Sequence, residues 1–308
     1  MSLPYNDYST RLREILGTRI QKISINAGFT CPNRDGKVGV GGCTYCNNQT
    51  FNPDYCQQDK SVTQQIAEGI AFFRKKHDEQ KHLAYFQAYT NTYGDIAHLI
   101  DLYEEALSYP GIIGLVIGTR PDCINKELLD YLQELSGKCY VMVEYGVEST
   151  CDETLKAINR GHDFATAQRA IRATAQRGIH TAAHLILGLP GEDRTTLLSH
   201  AHQLSELPLT TIKLHQLQLI KGTVMAQQFA THPDQFRLFS VDEYIDLCID
   251  FLELLHPNIS VERFTSQSPP HLLIAPDWKV KNHEFVVKLQ RRMIARNTSQ
   301  GRLYLYKS

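Results

Sequence analysis

The stretch "QKISINAGFTCPNRDGKVGVGGCTYC" (residues 21–46) decides how the rest of the chain is read. It opens as a short strand, QKISINA (21–27), and runs on into a loop holding three of the chain's eight cysteines: Cys31, Cys43 and Cys46. In α/β proteins built from parallel strands, function sits on the loops at the strand C-termini. A cysteine-rich loop at such an end is therefore a candidate site, provided the remaining sequence supplies the other strands.

It does so in a loose alternation. Helical stripes, with apolar residues three or four apart, are read over 62–76 (Val62, Ile66, Ile70, Phe73), 96–108, 126–136, 164–178, 194–207 and 241–255. Between them lie strand-like runs at 82–90, 111–118, 140–146, 180–188 and 211–219. Together with 21–27 this makes six βα units, and strands alternating with helices imply a parallel sheet with right-handed crossovers. Eight units would close a full barrel. Six predict an α/β chain folded as a partial (β/α)6 TIM-like barrel, with a doubly wound sheet as the alternative. The expected division is an N-terminal extension (1–20), the partial barrel (21–256) and a C-terminal extension (257–308).

Composition bounds the function. The 308 residues are 42% hydrophobic and 21% charged, with a formal net charge of −1. That is an ordinary globular balance, and it offers no global attraction to nucleic acid, so such a partner needs a local basic patch. No window approaches the roughly 18 apolar residues of a membrane span. The polar start MSLPYNDYSTRLREILG resembles neither a secretory nor a transit segment. The expected compartment is the cytoplasm, where thiols stay reduced and clustered cysteines read as metal or redox ligands.

Eleven residues separate Cys31 from Cys43, and two separate Cys43 from Cys46. The CxxC pair gives a tight bite, and Gly36, Gly39, Gly41 and Gly42 let the chain fold back to bring Cys31 to it. Two metal readings remain open on spacing alone. A structural zinc wants four ligands, and Cys56 can supply the fourth. A four-iron cluster on three thiolates leaves one iron open to a cofactor.

A cysteine triad ending in Cys-x-aromatic-Cys, with Tyr45 as the aromatic, just after the first strand of a βα array, resembles the radical S-adenosylmethionine (SAM) superfamily. The usual spacing there is three residues between the first two cysteines. Eleven is similar to the branch that contains the elongator catalytic subunit. "GVES" (146–149), "NRGHDFATAQRAI" (159–171) and "HLILGLPGE" (184–192) follow in the order that branch shows. "YFQAYTNTYGD" (85–95), "LHQLQLIKGT" (214–223) and "IAPDW" (274–278) look like the bacterial YhcC/YtqA-type proteins of that branch.

The resemblance implies a 4Fe–4S cluster on Cys31, Cys43 and Cys46, and SAM bound at its open iron. Reductive cleavage of SAM would give a radical that removes a hydrogen atom from a substrate. It also implies cofactor-binding roles for Tyr45 against the adenine, Thr90 and Asn91 near the methionine amino group, Glu148 near the ribose or amino group, Arg160 on the carboxylate, His184 near the ribose, and Gly188 in the turn beside the nucleoside.

Substrate contacts are expected from Lys213 and His215, which alternate with Ile212 and Leu214 and so face the barrel lumen. Arg120, at the end of the third strand, is a similar candidate. The branch acts on the wobble uridine of tRNA. This sequence holds no acetyltransferase segment and no second cysteine cluster for sulfur insertion, so the expected reaction alters an existing side chain on that base.

Residues 278–308 place eight basic residues (Lys279, Lys281, Lys288, Arg291, Arg292, Arg296, Arg302, Lys307) against one acid, Glu284. A helix at about 283–297 would dock through Phe285, Leu289 and Met293. It would turn Lys288, Arg291, Arg292 and Arg296 toward tRNA phosphate, or toward an acidic electron donor of flavodoxin or ferredoxin type. The alternatives are a radical enzyme acting on a small metabolite or a protein, and a zinc-stabilised RNA-binding module.

Overall fold

The structure is a computed structural model, and it describes residues 3–50, 53–74 and 80–305. Helix α1 (Tyr8–Leu16) precedes β1 (Ile20–Ile25). There follow α2 (Val62–Arg74), β2 (Lys81–Phe86), α3 (Ile96–Ser108), β3 (Ile112–Thr119), α4 (Lys126–Ser136), β4 (Tyr140–Glu148), α5 (Asp152–Ala157) and α6 (Phe164–Ala175). Next are β5 (His180–Leu187), α7 (Arg194–Ser205), β6 (Thr211–Gln216), β7 (Leu219–Ile220), α8 (Val224–Thr231) and α9 (Val241–Leu254). The last elements are β8 (Ser260–Arg263), β9 (Leu273–Ala275) and α10 (Asn282–Ala295). The end of the helix read over 62–76, and Lys307 of the basic tail, lie outside the described residues.

Seven strands pair in the order β1-β2-β3-β4-β5-β6-β8, every pair parallel. A doubly wound sheet reverses its strand order at a switch point. This order runs straight through, so the sheet curls as a partial barrel. The seventh strand comes from the segment assigned in sequence to the C-terminal extension. Four residues with Glu262 and Arg263 at their end are too short and too charged to show a strand pattern.

Side chains alternate across each strand. Ile23, Ile25, Phe86, Leu115, Ile117, Val141, Val143, Ala183, Leu185, Ile212 and Leu214 are all buried. Most of them share one core with Ile66 of α2, Leu99 and Tyr103 of α3, Leu128 and Leu132 of α4 and Ile171 of α6. The opposite, concave face is apolar near the strand N-termini, where Leu83, Tyr85, Val116, Tyr140, Met142 and Ala182 pack on Tyr8 and Leu12 of α1. The first segment is thus a plug, and Asp7 forms a parallel bridge with Val261 at the open edge of the sheet. Beyond the plug the same face turns polar, and there the site begins.

Helix starts are set locally. Asp7, Asp95, Asn125, Asp163, Asp193 and Ser240 each accept a hydrogen bond from an amide of the first helical turn, which satisfies a donor that the helix leaves open. Helix α10 docks as its apolar stripe predicts: Phe285, Leu289 and Met293 are buried, each worth about 1.5–3 kcal/mol. Its charged side is different from expectation. Arg292 pairs with Asp242 and Asp246, and Arg296 with Asp246 and Asp250, all on α9. Only Lys288 and Arg291 of that quartet stand without an ion-pair partner among the described residues.

Candidate active site

At the C-terminal ends of the strands lies a solvent-open cavity. Cys31, Cys43 and Cys46 line one side, and Lys213 and His215 line another.

The cysteine side is built by docking one loop on another. The spacer between Cys31 and Cys43 turns back on itself through Val38 N donating to Pro32 O at 2.8 Å and Gly42 N to Asn33 O at 2.8 Å. It then seats on the turn after α5. Thr44 N donates to Ile158 O at 3.0 Å, Asn159 Nδ2 to Gly42 O at 2.8 Å, and Asn33 Nδ2 to Asn159 O at 2.6 Å. Gly39 is required by close approach, since a Cβ there would stand 2.2 Å from Asn33 Oδ1.

All three thiols are free, with Cys43 buried and the other two half-buried. Burial and the neighbouring Cys43 raise the pKa of Cys46, while Arg34 works against them. Several buried polar atoms nearby lack a partner among the described residues: Thr90 Oγ1, Arg120 Nη1 and Arg160 Nε. Unpaired buried donors are costly, and a polar guest would satisfy them.

Three soft thiolates beside such groups fit an iron–sulfur cluster and a polar cofactor. A single metal ion fits less well. Among the described residues no three His, Cys, Asp or Glu groups close on one point, whereas a cluster gives each thiolate its own iron. Cys56 packs instead with Ile23 and Tyr55, off the cavity wall, and burial pushes its thiol up to about 12. As a fourth zinc ligand it is misplaced.

The cofactor candidates divide. Tyr45, Thr90, Glu148, Arg160 and His184 line the cavity. Arg160 is buried, its Nη2 donating to Gly146 O at 2.6 Å and its Nη1 reaching Cys43 Sγ at 3.5 Å. Glu148 Oε1 is 3.8 Å from it. Asn91 and Gly188 are not on the wall. Asn91 donates to the carbonyls of Ala88 and Gly118 and so ties the turn after β2 to β3. Gly188 lets the chain pass Phe239, whose ring would stand 3.0 Å from an added Cβ.

Arg120 lies on the cavity wall with the cysteines. It chelates Asp122 through two bonds of 2.9 Å and gives a third to Arg160 O.

Lys213 does face the lumen, and it lies in a group that the sequence reading missed. Its Nζ is 2.6 Å from Glu144 Oε2, 3.2 Å from Glu262 Oε1 and 3.2 Å from Tyr85 Oη. Lys22 reaches the same two carboxylates at 2.6 and 2.7 Å, and so spans the gap between the edge strands β1 and β8. His184 Nε2 completes the group, 3.1 Å from Glu144 Oε2.

Burial lowers the Lys213 pKa to about 8 against the pull of Glu144 and Glu262. For Lys22 the two carboxylates outweigh burial, and its pKa is raised. The Glu144 carboxyl, despite burial, is held well below its ordinary range by Lys213, Lys22 and His184. His215 stays neutral, its pKa driven down by burial and by Arg263, and its Nε2 has no partner among the described residues. A lone acid in the apolar run YVMVEYG was the available signal for Glu144. Lys22 and Glu262 gave none, because each becomes part of the group only when the sheet curls.

A sequential parallel half-barrel with a three-cysteine loop after its first strand and an open cavity beside it defines a class, and the family comparisons agree. Residues 28–204 match the Radical SAM superfamily and residues 209–295 the Radical_SAM C-terminal domain, so this chain belongs to the radical SAM superfamily, whose members use a 4Fe–4S cluster and SAM. It is 34% identical to the uncharacterized protein YtqA of Bacillus subtilis over 97% of this chain and 92% of that protein. It is 36% identical to protein YhcC of Escherichia coli over 93% of this chain and 91% of that protein. The solved structure of Elp3 from Methanocaldococcus infernus superposes with a TM-score of 0.70 at 15% identity, over 91% of this chain and 64% of that one. That likeness is one of fold. No helix among the described residues is long and apolar enough to cross a membrane.

Proposed function

We propose that this radical SAM enzyme holds its cluster on Cys31, Cys43 and Cys46, and modifies the wobble uridine of tRNA at its carbon-5 side chain. The observation that carries the enzyme reading is that the three thiols and the buried Lys213–Glu144 group open into one cavity. When bound, the cluster and SAM supply a carbon radical able to take a hydrogen atom from a substrate.

The chain's own residues do the rest. Tyr45, Thr90, Glu148 and Arg160 seat SAM beside the cysteines, with Arg120 bracing Arg160 through its carbonyl. His184, tied to Glu144, stands between that half and the Lys213–His215 half. Lys213 and His215 meet the substrate. The cysteines and Lys213 with His215 line the same open cavity, in keeping with cofactor and substrate side by side. The tRNA assignment rests on the resemblance to the elongator branch and on the basic face of α10. A flavodoxin- or ferredoxin-type carrier would reduce the cluster.

One observation favours a second reading, a small-metabolite or protein substrate. Arg292 and Arg296 are neutralised by α9, which halves the basic face expected to meet phosphate. The deciding assay is anaerobic. With reconstituted protein, SAM and dithionite, 5′-deoxyadenosine is measured with and without bulk tRNA from a strain lacking this protein. Formation that rises with tRNA is expected, and formation indifferent to tRNA moves the substrate to the second class.

A further inference from the structure

We infer that Asn33 and Arg160 set the reduction potential of the cluster by donating hydrogen bonds to the sulfur of Cys43. The inference rests on the ligand reading above. Asn33 Nδ2 lies 3.7 Å and Arg160 Nη1 3.5 Å from Cys43 Sγ, lengths suited to the large sulfur atom. Both side chains are buried, as is Cys43.

Neither donor is free to turn away. The Asn33 amide is oriented by Asn159 O, which can only accept, so the nitrogen must lie on that side. One of its two hydrogens is then left for the sulfur. The Arg160 guanidinium is fixed by Gly146 O at 2.6 Å. Gly146 leaves room for both ends, because an added Cβ would stand 2.7 Å from Arg160 Nη2 and 2.5 Å from Glu148 Oε1 and so displace them. Other charges face this corner. Glu148 offsets Arg160 in part at 3.8 Å, and Arg34 lies at Cys46, donating to its carbonyl at 2.9 Å.

The effect has a definite sign. One-electron reduction adds negative charge that spreads onto the sulfurs. N–H donors and a buried cation stabilise that state more than the oxidised one, so they raise the potential. This also accounts for the long spacer between Cys31 and Cys43. Asn33 belongs to it, and its docking on Asn159 holds the donor under the sulfur.

The test is a redox titration of the reconstituted cluster, followed by electron paramagnetic resonance without SAM, so that SAM binding does not enter. Asn33→Leu removes the donor at similar volume. Arg160→Gln keeps a donor and removes the charge. At a fixed potential each variant should hold a reduced-to-oxidised ratio about tenfold below wild type, a shift of about 59 mV for one electron. Iron content should stay unchanged.

Ratios within threefold of wild type with the cluster intact overturn the inference. If Asn33→Leu fails to load iron, the Arg160→Gln titration decides alone. Cys43→Ala separates the two layers: full iron content and an unaltered spectrum would overturn the ligand reading and this inference with it. A lost or altered cluster upholds the ligand reading and leaves the titration to judge the rest.

Discussion

The two sides of the cavity solve opposite problems. On the cysteine side, buried polar atoms such as Thr90 Oγ1, Arg120 Nη1 and Arg160 Nε end without partners among the described residues. On the Lys213 side, two lysines and two carboxylates satisfy one another at 2.6 to 3.2 Å. The first is complete only with a guest. The second is complete by itself, apart from His215 Nε2. Buried ion pairs are poor stabilisers relative to apolar packing but very costly to break. The contrast therefore teaches that loss of a cysteine should empty the site, and loss of a carboxylate should loosen the fold.

The largest expected effect is on the cysteine side. Alanine at Cys31, Cys43 or Cys46 should abolish iron loading and 5′-deoxyadenosine formation, read by iron analysis and chromatography, while the apo chain melts as wild type does. Cys56→Ala should retain full iron, and iron loss there would restore the zinc alternative.

Next comes Glu144→Gln, which leaves two buried lysines to share Glu262. Denaturant unfolding of the apo chain should show a loss of about 3 kcal/mol. A loss below about 1 kcal/mol would mean that the group is wetter than its geometry implies.

A smaller effect sharpens the same side through pH. The folded Lys213 releases its proton near pH 8, whereas the unfolded chain keeps it to 10.5. Below both values each state is protonated and nothing changes. Between them the unfolded state binds more protons, so stability must rise with pH. The stability of wild type relative to Lys213→Met should climb from pH 8 toward 10.5 by at most about 1.4 kcal/mol per unit. A flat difference would show that Lys213 stays charged. Glu144 acts at the other limit. Its carboxyl is held below the ordinary 4.5, so its contribution is present above that value and lost as pH falls.

The smallest effect concerns α10. Arg292→Ala should cost less than about 1 kcal/mol, less still at high salt, because its ion pairs are partly exposed. It should also leave the salt dependence of any tRNA binding unchanged, while neutralising Lys288 and Arg291 flattens it.

How much of this was legible in the sequence follows from range. Helices 96–108 and 126–136 were read to the residue, because a periodic stripe is a local signal, and the structure adds the Asp95 and Asn125 caps that start them. Helix α1, strand β8 and the short α5 and α8 escaped, since brief or charged elements form only against neighbours already in place. The cysteine loop announced itself by residue type and spacing. Lys213 and His215 were placed in the lumen correctly by alternation with Ile212 and Leu214. Asn91 and Gly188 were assigned by resemblance, and the structure gives them backbone and packing duties off the wall.

By itself, then, the sequence determined the class of chain, the sequential α/β order and the three thiols, because patterning and ligand spacing are written in consecutive residues. Only the tertiary structure decided that Lys22 on the first strand meets Glu262 on the last, that the N-terminal helix fills the concave face, and that Asn33 and Arg160 converge on one sulfur. Lys22 and Glu262 lie 240 positions apart and Arg160 and Cys43 117, and no local signal fixes how far a sheet curls before its edges meet.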